Sequence, residues 1–127
     1  MFVSRATRTV FVLASLALGA TAQAHPRLLS STPTANSTVF KPAKIAMKFS
    51  ETLIAPMSSA DVIMTKMPGR SAKPMKISGV SSAIAADRKT MVLSFKQQLT
   101  TGTYRVNWHV VSSDTHRIQG SFAFAVK

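Results

Sequence analysis

The chain has 127 residues, of which 46 % are hydrophobic and none is cysteine. Disulfides, thiolate metal sites and a cysteine nucleophile are therefore excluded, and the fold must rest on its apolar core. Its formal net charge is +12, from 16 Lys and Arg residues against four acids, and a charge of this size can attract anionic lipid, a cell-wall polymer or an acidic protein. The basic residues are scattered along the chain, which favours a solvated basic surface over a dedicated binding patch.

Residues 1–24 have the features of a secretory signal peptide. Arg5 and Arg8 give a positive start, residues 10–18 form an apolar run too short to span a bilayer unaided, and an Ala-Gln-Ala cleavage site ends at residue 24. An uncleaved N-terminal anchor is the alternative. We predict that cleavage leaves one domain, residues 25–127, whose charge falls from +12 to +10 with the loss of the two arginines. This domain is expected in the periplasm, without nucleic acid as a partner and without a membrane span.

Cleavage at this site would make His25 the first residue of the mature chain. A terminal histidine offers one metal ion two nitrogens, the α-amine and the ring Nδ1, and a free α-amine loses its proton to a metal near neutral pH. Pro26 has no backbone N–H, so the next amide cannot become a ligand and further ligands must come from elsewhere in the fold. The alternative is that cleavage leaves a histidine with no role.

The mature chain has the sequence pattern of an all-β protein. Residues 25–38 are rich in Pro, Ser and Thr and suit an irregular edge segment, and residues 61–65 form a short strand. Alternation assigns these residues to the inward faces of four further strands: Ile45, Met47 and Phe49; Met91, Leu93 and Phe95; Tyr104, Val106, Trp108 and Val110; and Phe122, Phe124 and Val126. Turn residues separate the runs at short intervals, which predicts an antiparallel β-sandwich or Greek-key β-barrel.

Asp114 and His116 follow the strand that ends near residue 111. In extended backbone, residues two apart face the same side, so one oxygen and one nitrogen can reach a common point. If the N-terminal segment pairs alongside, His25 joins them. Amine, imidazole and carboxylate ligands together suit Cu(II). They bind Ni(II) or Zn(II) more weakly, so ligand type alone leaves the choice among these metals open.

Two other polar residues, Glu51 and His109, are of types that can bind a metal ion. Glu51 follows another alternating strand and is either a further oxygen ligand, an acceptor that orients a histidine ring, or a surface acid. His109 alternates to the face opposite Trp108, which predicts an exposed side chain that binds no metal.

Met64, Met67 and Met75 fall within a stretch rich in Pro and Gly, which predicts a loop. Thioethers are soft ligands that favour Cu(I), and they survive an oxidising compartment without forming disulfides. The alternative is ordinary apolar packing.

The chain resembles the CopC-type periplasmic copper-binding proteins over nearly all of its mature length. The residues that carry the resemblance are His25-Pro-Arg-Leu, Ser30-Ser-Thr-Pro33, Phe49-Ser-Glu51, Met64-Thr-Lys-Met-Pro-Gly69, Leu99-Thr-Thr-Gly-Thr-Tyr104 and Val111-Ser-Ser-Asp-Thr-His116. The resemblance implies a seven-stranded Greek-key β-barrel, of cupredoxin-like or immunoglobulin-like shape. It implies a Cu(II) site of His25, Asp114 and His116, with Glu51 matching a glutamate proposed in some members. It further implies a role in copper tolerance or uptake, often beside an inner-membrane copper transporter of the CopD type.

The sequence departs from the family at the methionine-rich loop. Members with a Cu(I) site carry an additional methionine and a histidine where this chain has Arg70 and Ala72. A guanidinium beside a cationic metal is unfavourable, which predicts a weakened or lost Cu(I) site.

Two other functions are compatible with parts of the sequence. A terminal histidine plus a second histidine resembles the histidine brace of copper-dependent polysaccharide monooxygenases, which usually add an axial tyrosine. The only tyrosine here, Tyr104, is predicted to face inward, and little chain remains for a substrate surface. A basic exported adhesion module without metal is the third reading. The sequence favours a non-catalytic carrier that sequesters or delivers Cu(II).

Overall fold

The computed structural model describes residues 25–69 and 73–127. The predicted leader, Arg70 and Ala72 therefore lie outside the described residues. The described residues form nine strands and a single turn of 3-10 helix, Ala55–Met57. The strands are β1 (Leu28–Thr32), β2 (Thr38–Val39), β3 (Lys44–Phe49), β4 (Ser59–Lys66), β5 (Met75–Lys76), β6 (Val80–Ile84), β7 (Thr90–Phe95), β8 (Gly102–Val111) and β9 (Arg117–Val126).

The strands form two sheets, which confirms the all-β prediction. One sheet has the order β1-β3-β7-β6 and the other has the order β2-β9-β8-β4-β5. The neighbouring strands pair antiparallel, except for the short parallel pair of β2 and β9. Among the described strands, β2 and β5 have two residues each and the other seven have five or more, so the predicted number of about seven corresponds to these longer strands.

The core lies between the two sheets, where the sequence alternation placed it. Ile45, Met47 and Phe49 on β3 are fully buried, and so are Met91 and Leu93 on β7. The inward residues of β8 and β9 are buried as predicted, whereas Phe95 is only half-buried. Removing an aliphatic or aromatic side chain of this size from water contributes about 1.5–3 kcal/mol, so the apolar core can hold the domain without disulfides. None of the helical turns described here is long and apolar enough to cross a bilayer.

One glycine is required for the packing of the single tryptophan. Gly120 on β9 pairs with Trp108 on β8, and a Cβ at this glycine would lie 2.4 Å from Cζ2 of the indole. Trp108 is also held against Phe49, with ring centroids 5.1 Å apart in an edge-to-face arrangement. The indole therefore has little freedom to move away from an added methyl group.

We expect Gly120→Ala to lower the free energy of unfolding by about 1–3 kcal/mol, because the added Cβ overpacks the Trp108 site. Urea unfolding followed by tryptophan fluorescence measures this change. Ser121→Ala, at the exposed next position of β9, is the matched control and should change stability little. Equal stability of the two variants would contradict the packing described here.

Candidate metal centre

The N-terminal segment is attached to the end of β3. Ser50 N donates to the carbonyl of Arg27 at 2.9 Å, and Arg27 N donates to Ser50 Oγ at the same distance. Ser50 Oγ also donates to the carbonyl of His25 at 3.4 Å. Pro26 is fully buried between these contacts, so it anchors the segment on the core. These bonds place His25 at one end of the sandwich.

The turn after β8 lies at the same end. Ser113 N donates to the carbonyl of Thr52 at 2.9 Å, which joins this turn to the segment after β3. Within the turn, Thr115 N donates to the carbonyl of Ser112 at 2.8 Å, and Ser112 N donates to the carbonyl of His116 at 3.0 Å. Thr115 has a φ of 73°, in the left-handed region, and this reverses the chain between β8 and β9. The segments that carry His25 and His116 are therefore neighbours.

Asp114 and His116 contact each other directly. His116 Nδ1 lies 2.8 Å from Asp114 Oδ2, and His116 N donates to Asp114 Oδ1 at 3.3 Å. The buried Ser112 hydroxyl also donates to Oδ1. The hydrogen bond from Ser112, followed by that from His116, lowers the pKa of Asp114 to about 2. The carboxylate is therefore anionic at neutral pH, and because both side chains are nearly half exposed, at 46 % and 45 %, a metal ion can reach them.

This contact corrects one step of the sequence reasoning. The expectation of a common face assumed extended backbone between Asp114 and His116, whereas the two residues lie in a turn with Thr115 at positive φ. The carboxylate consequently faces the imidazole rather than pointing parallel to it. Across the described residues, no three His, Asp or Glu side chains are already arranged around one point.

The rings of His25 and His116 lie against each other. Their centroids are 4.8 Å apart and their planes meet at 74°. Because metal–nitrogen bonds are about 2.0 Å and a ring centre lies roughly 1 Å beyond the nitrogen, two imidazoles bound at right angles have centres about 4–5 Å apart. The observed spacing fits two rings on one ion.

The spacing between Asp114 and His116 also fits a shared ion. Adjacent ligand atoms of a square coordination plane with bonds of about 2.0 Å are separated by about 2.8 Å. The Nδ1–Oδ2 distance is 2.8 Å. The two atoms are therefore already separated by the distance between adjacent ligands of one ion, which would lie to one side of the line that joins them.

Glu51 lies between the two segments that hold the site together. Its neighbours Ser50 and Thr52 are the residues that bond to the N-terminal segment and to the turn after β8. Glu51 itself is half-buried. The backbone of this residue is therefore at the same end of the sandwich as His25 and His116, and its role as a ligand or as an orienting acceptor stays a prediction.

His109 lies on the outer face of the five-stranded sheet. It is half-buried rather than fully exposed, and it lines a shallow cavity of 470 Å³ with Asp61, Asn107 and Arg117 among its neighbours. The placement opposite the buried Trp108 agrees with the alternation of β8. His109 therefore lies on β8 itself, on the outer face of the sheet, and not in the turn after β8 that carries His116.

The three methionines are brought together, but not in a loop. Met64 lies within β4 and is 5 % exposed, so the prediction of a loop is wrong for this residue, which the core buries. It pairs across the sheet with Met75 of β5, which is 53 % exposed, and Met67 packs against the core. All three line one cavity of 270 Å³, which Lys76 also lines.

Sequence reasoning missed the two serines that organise this end of the sandwich. Ser112 is 1 % exposed and holds the Asp114 carboxylate, while Ser50 bonds to the segment that carries His25. An aspartate in a turn commonly accepts a hydrogen bond from the backbone two residues on, as Asp114 does from His116 N, but this pattern does not indicate the bond from Ser112. No local signal marks Ser50 either, because its partners are more than twenty residues away.

Comparison with known proteins places the chain in a family. The sequence model of the CopC domain matches residues 28–127. The chain is 48 % identical to Copper resistance protein C of Xanthomonas campestris pv. juglandis over 126 residues, covering 99 % of this chain and 98 % of the relative. It is 45 % identical to Copper resistance protein C of Pseudomonas syringae pv. tomato over 127 residues, with both chains fully covered.

A solved structure agrees with this assignment. The crystal structure of selenomethionine PcoC, described as a copper resistance protein from Escherichia coli, superimposes with a TM-score of 0.76 at 46 % sequence identity. The match covers 80 % of this chain and 99 % of PcoC. The family model, the identity over whole chains and the shared fold lead to one conclusion. The chain belongs to the CopC family.

Proposed function

We propose that this chain is a periplasmic copper-binding protein of copper resistance and homeostasis, which sequesters or delivers Cu(II). The observation that carries the proposal is the contact of the His25 and His116 rings beside the Asp114 carboxylate. Relatives at 45–48 % identity that carry the name Copper resistance protein C support copper as the ion.

The proposal includes removal of residues 1–24 by signal peptidase. Residues 1–24 have the basic start, the apolar run and the Ala-Gln-Ala site of a cleaved leader, and these features support the proposal. Cleavage gives His25 a free α-amine, and the domain of residues 25–127 then starts at the metal end of the sandwich.

The proposed ligands of Cu(II) are the α-amine and ring of His25, the ring of His116 and the Asp114 carboxylate. Three nitrogens and one anionic oxygen suit the tetragonal geometry of Cu(II), which also binds such donors more tightly than Ni(II) or Zn(II) does. His116 Nδ1 and Asp114 Oδ2 would hold the copper as adjacent ligands, and the hydrogen bond from Ser112 would keep the carboxylate in place. Glu51 is a further oxygen ligand or orients one of the rings.

A carrier is favoured over a monooxygenase by the position of Tyr104. This residue is fully buried near the start of β8, where its hydroxyl donates to the carbonyl of Thr100 at 2.6 Å. Asp114 follows the opposite end of β8, so the strand separates the tyrosine from the proposed site. A carboxylate beside the copper also stabilises resting Cu(II) rather than redox cycling.

A second, weaker site for Cu(I) is proposed at Met64, Met67 and Met75, supported by the cavity that all three line. Lys76 also lines this cavity, but its ammonium is paired with the Asp61 carboxylate at 3.1 Å, so it opposes a bound cation only weakly. A CopD-type transporter of the inner membrane is the proposed partner for delivery.

Titration of the processed protein with Cu(II) tests the proposed function. We expect one tight equivalent that raises Tm, because binding to the folded state alone stabilises it. We expect release as the pH falls below about 6, where amine and imidazole nitrogens regain protons. The loaded protein should not consume oxygen in the presence of a reductant. An unchanged Tm would favour the adhesion module, and oxygen consumption would favour the enzyme.

A further inference from the structure

The end of the sandwich opposite His25 and His116 carries a cluster of lysines. Register places the start of β8 beside the end of β9, and the start of β3 beside the end of β7. The chain joins β7 to β8 at this end, through residues 96–101, and the backbone of Lys127 bonds to that of Val39 here. We call this region the basic end, and its exposed lysines include Lys41, Lys44, Lys66, Lys96 and Lys127.

None of the chain's four acidic residues lies at the basic end. Glu51 and Asp114 belong to the opposite end, where the metal site is proposed, and Asp87 lies in the hairpin between β6 and β7 at that same opposite end. Asp61 pairs with Asn107 in the middle of the five-stranded sheet. The positive charge is therefore unevenly distributed, with unopposed lysines at one end and mixed charges at the other. This uneven distribution of charge depends on the strand order, and no run of basic residues in the sequence indicates it.

An exposed aromatic residue lies among these lysines. Phe40 is 68 % exposed, directly after β2, and Lys41 Nζ lies 5.2 Å from the centre of its ring. A shallow groove beside it is lined by Lys41, Lys127 and the polar residues of the β7–β8 connection. Contact of so exposed a phenylalanine with water is unfavourable, and its transfer into an apolar phase would lower the free energy.

We propose that the basic end docks on an anionic lipid surface. Lysines that surround an exposed aromatic ring match the two attractions of a bilayer interface, the negative headgroup layer and the apolar region beneath it. Lysine ammonium groups act as point charges without a fixed geometry, which suits mobile headgroups. Because β8 has ten residues and each rises about 3.3 Å, docking would hold the His25–His116 pair roughly 30 Å from the lipid, facing the solution.

Vesicle flotation of the processed, copper-free protein tests this proposal. Vesicles of neutral phosphatidylcholine are compared with vesicles that also contain about one third phosphatidylglycerol, at about 20 mM and about 500 mM salt. We expect binding to the anionic vesicles at low salt and release at high salt. The first variant carries Lys41, Lys44, Lys96 and Lys127 changed to Gln, and its binding should fall at least about 20-fold.

The matched control removes the same charge from the opposite end, with Lys48, Arg88, Lys89 and Arg117 changed to Gln. It should bind anionic vesicles within about threefold of the parent, because these groups would face away from the lipid. Phe40→Ser should weaken binding several-fold without changing its dependence on salt. The lysine variant should keep the parent's Cu(II) affinity, so the test is independent of the proposed function.

Three outcomes would overturn the proposal. Equal losses in the two charge variants would show that net charge alone draws the protein to the vesicles. No binding to anionic vesicles at low salt would exclude a lipid surface. Binding to soluble polyglutamate without binding to vesicles would assign the basic end to an acidic protein.

Discussion

His116→Ala is expected to weaken Cu(II) binding by at least about 100-fold. Loss of a group that only orients a metal ligand already costs 10–100-fold, and the imidazole is proposed as a ligand itself. The substitution also removes the partner that keeps Asp114 Oδ2 in position, at 2.8 Å from Nδ1. Competition with a copper chelator of known affinity measures the change.

His109→Ala is the matched control for this experiment, since it removes an imidazole from β8, the strand that precedes the turn with His116. His109 lies on the outer face of the five-stranded sheet, so its loss should change Cu(II) affinity by less than about threefold. Thermal unfolding without copper shows whether either variant perturbs the fold. If His109→Ala weakened binding more than His116→Ala, the assignment of the site to the turn after β8 would be contradicted.

Addition of one alanine before His25 in the processed protein is expected to weaken Cu(II) binding to a similar extent. The extension converts the α-amine into an amide nitrogen, and Pro26 prevents the following backbone nitrogen from replacing it. The terminal chelate, in which one residue supplies two adjacent ligands, is lost. The ring of His25 remains, so weak binding through imidazoles should persist.

The control for the extension is an alanine added after Lys127, which lies at the opposite end of the sandwich and should leave Cu(II) affinity unchanged. Both proteins should unfold at the same temperature without copper. Mass spectrometry must confirm the first residue of each protein, since incomplete processing would mimic the extension. Unchanged affinity of the N-terminally extended protein would remove the amine from the ligand set.

Alternation of apolar residues was enough to predict the long strands, because it records which face of each strand is buried. On β8, the residues from Tyr104 to Val110 alternate without interruption, and the structure buries the predicted face. The strand β6 was missed because its centre, Ser81 to Ala83, is exposed on both faces and carries no periodic signal. Its strand conformation comes from pairing with β7 in a hairpin, a contact that the residues of β6 alone do not indicate. Likewise, β2 is a strand because it pairs with the end of β9.

The residue types of the candidate site were accessible from the sequence, whereas their arrangement was not. A histidine after a cleavage site and an aspartate two residues before a histidine indicate metal chemistry without any coordinates. The direct contact of Asp114 with His116 depends on the positive φ of Thr115 and on the buried hydroxyl of Ser112, and neither follows from spacing. The burial of Met64 depends on the length of β4, which the Pro- and Gly-rich composition of the following residues obscured.

Electron paramagnetic resonance of the processed protein with one equivalent of Cu(II) tests the ligand set most directly. The nitrogen hyperfine structure should indicate three nitrogen donors, and selective ¹⁵N labelling of histidine should alter the couplings of the two rings and of the terminal amine, since all three nitrogens belong to His25 and His116. A spectrum with fewer than two histidine nitrogens, or one that stays the same when His116 is replaced by alanine, would contradict a copper site at the junction of the N-terminus and the turn after β8.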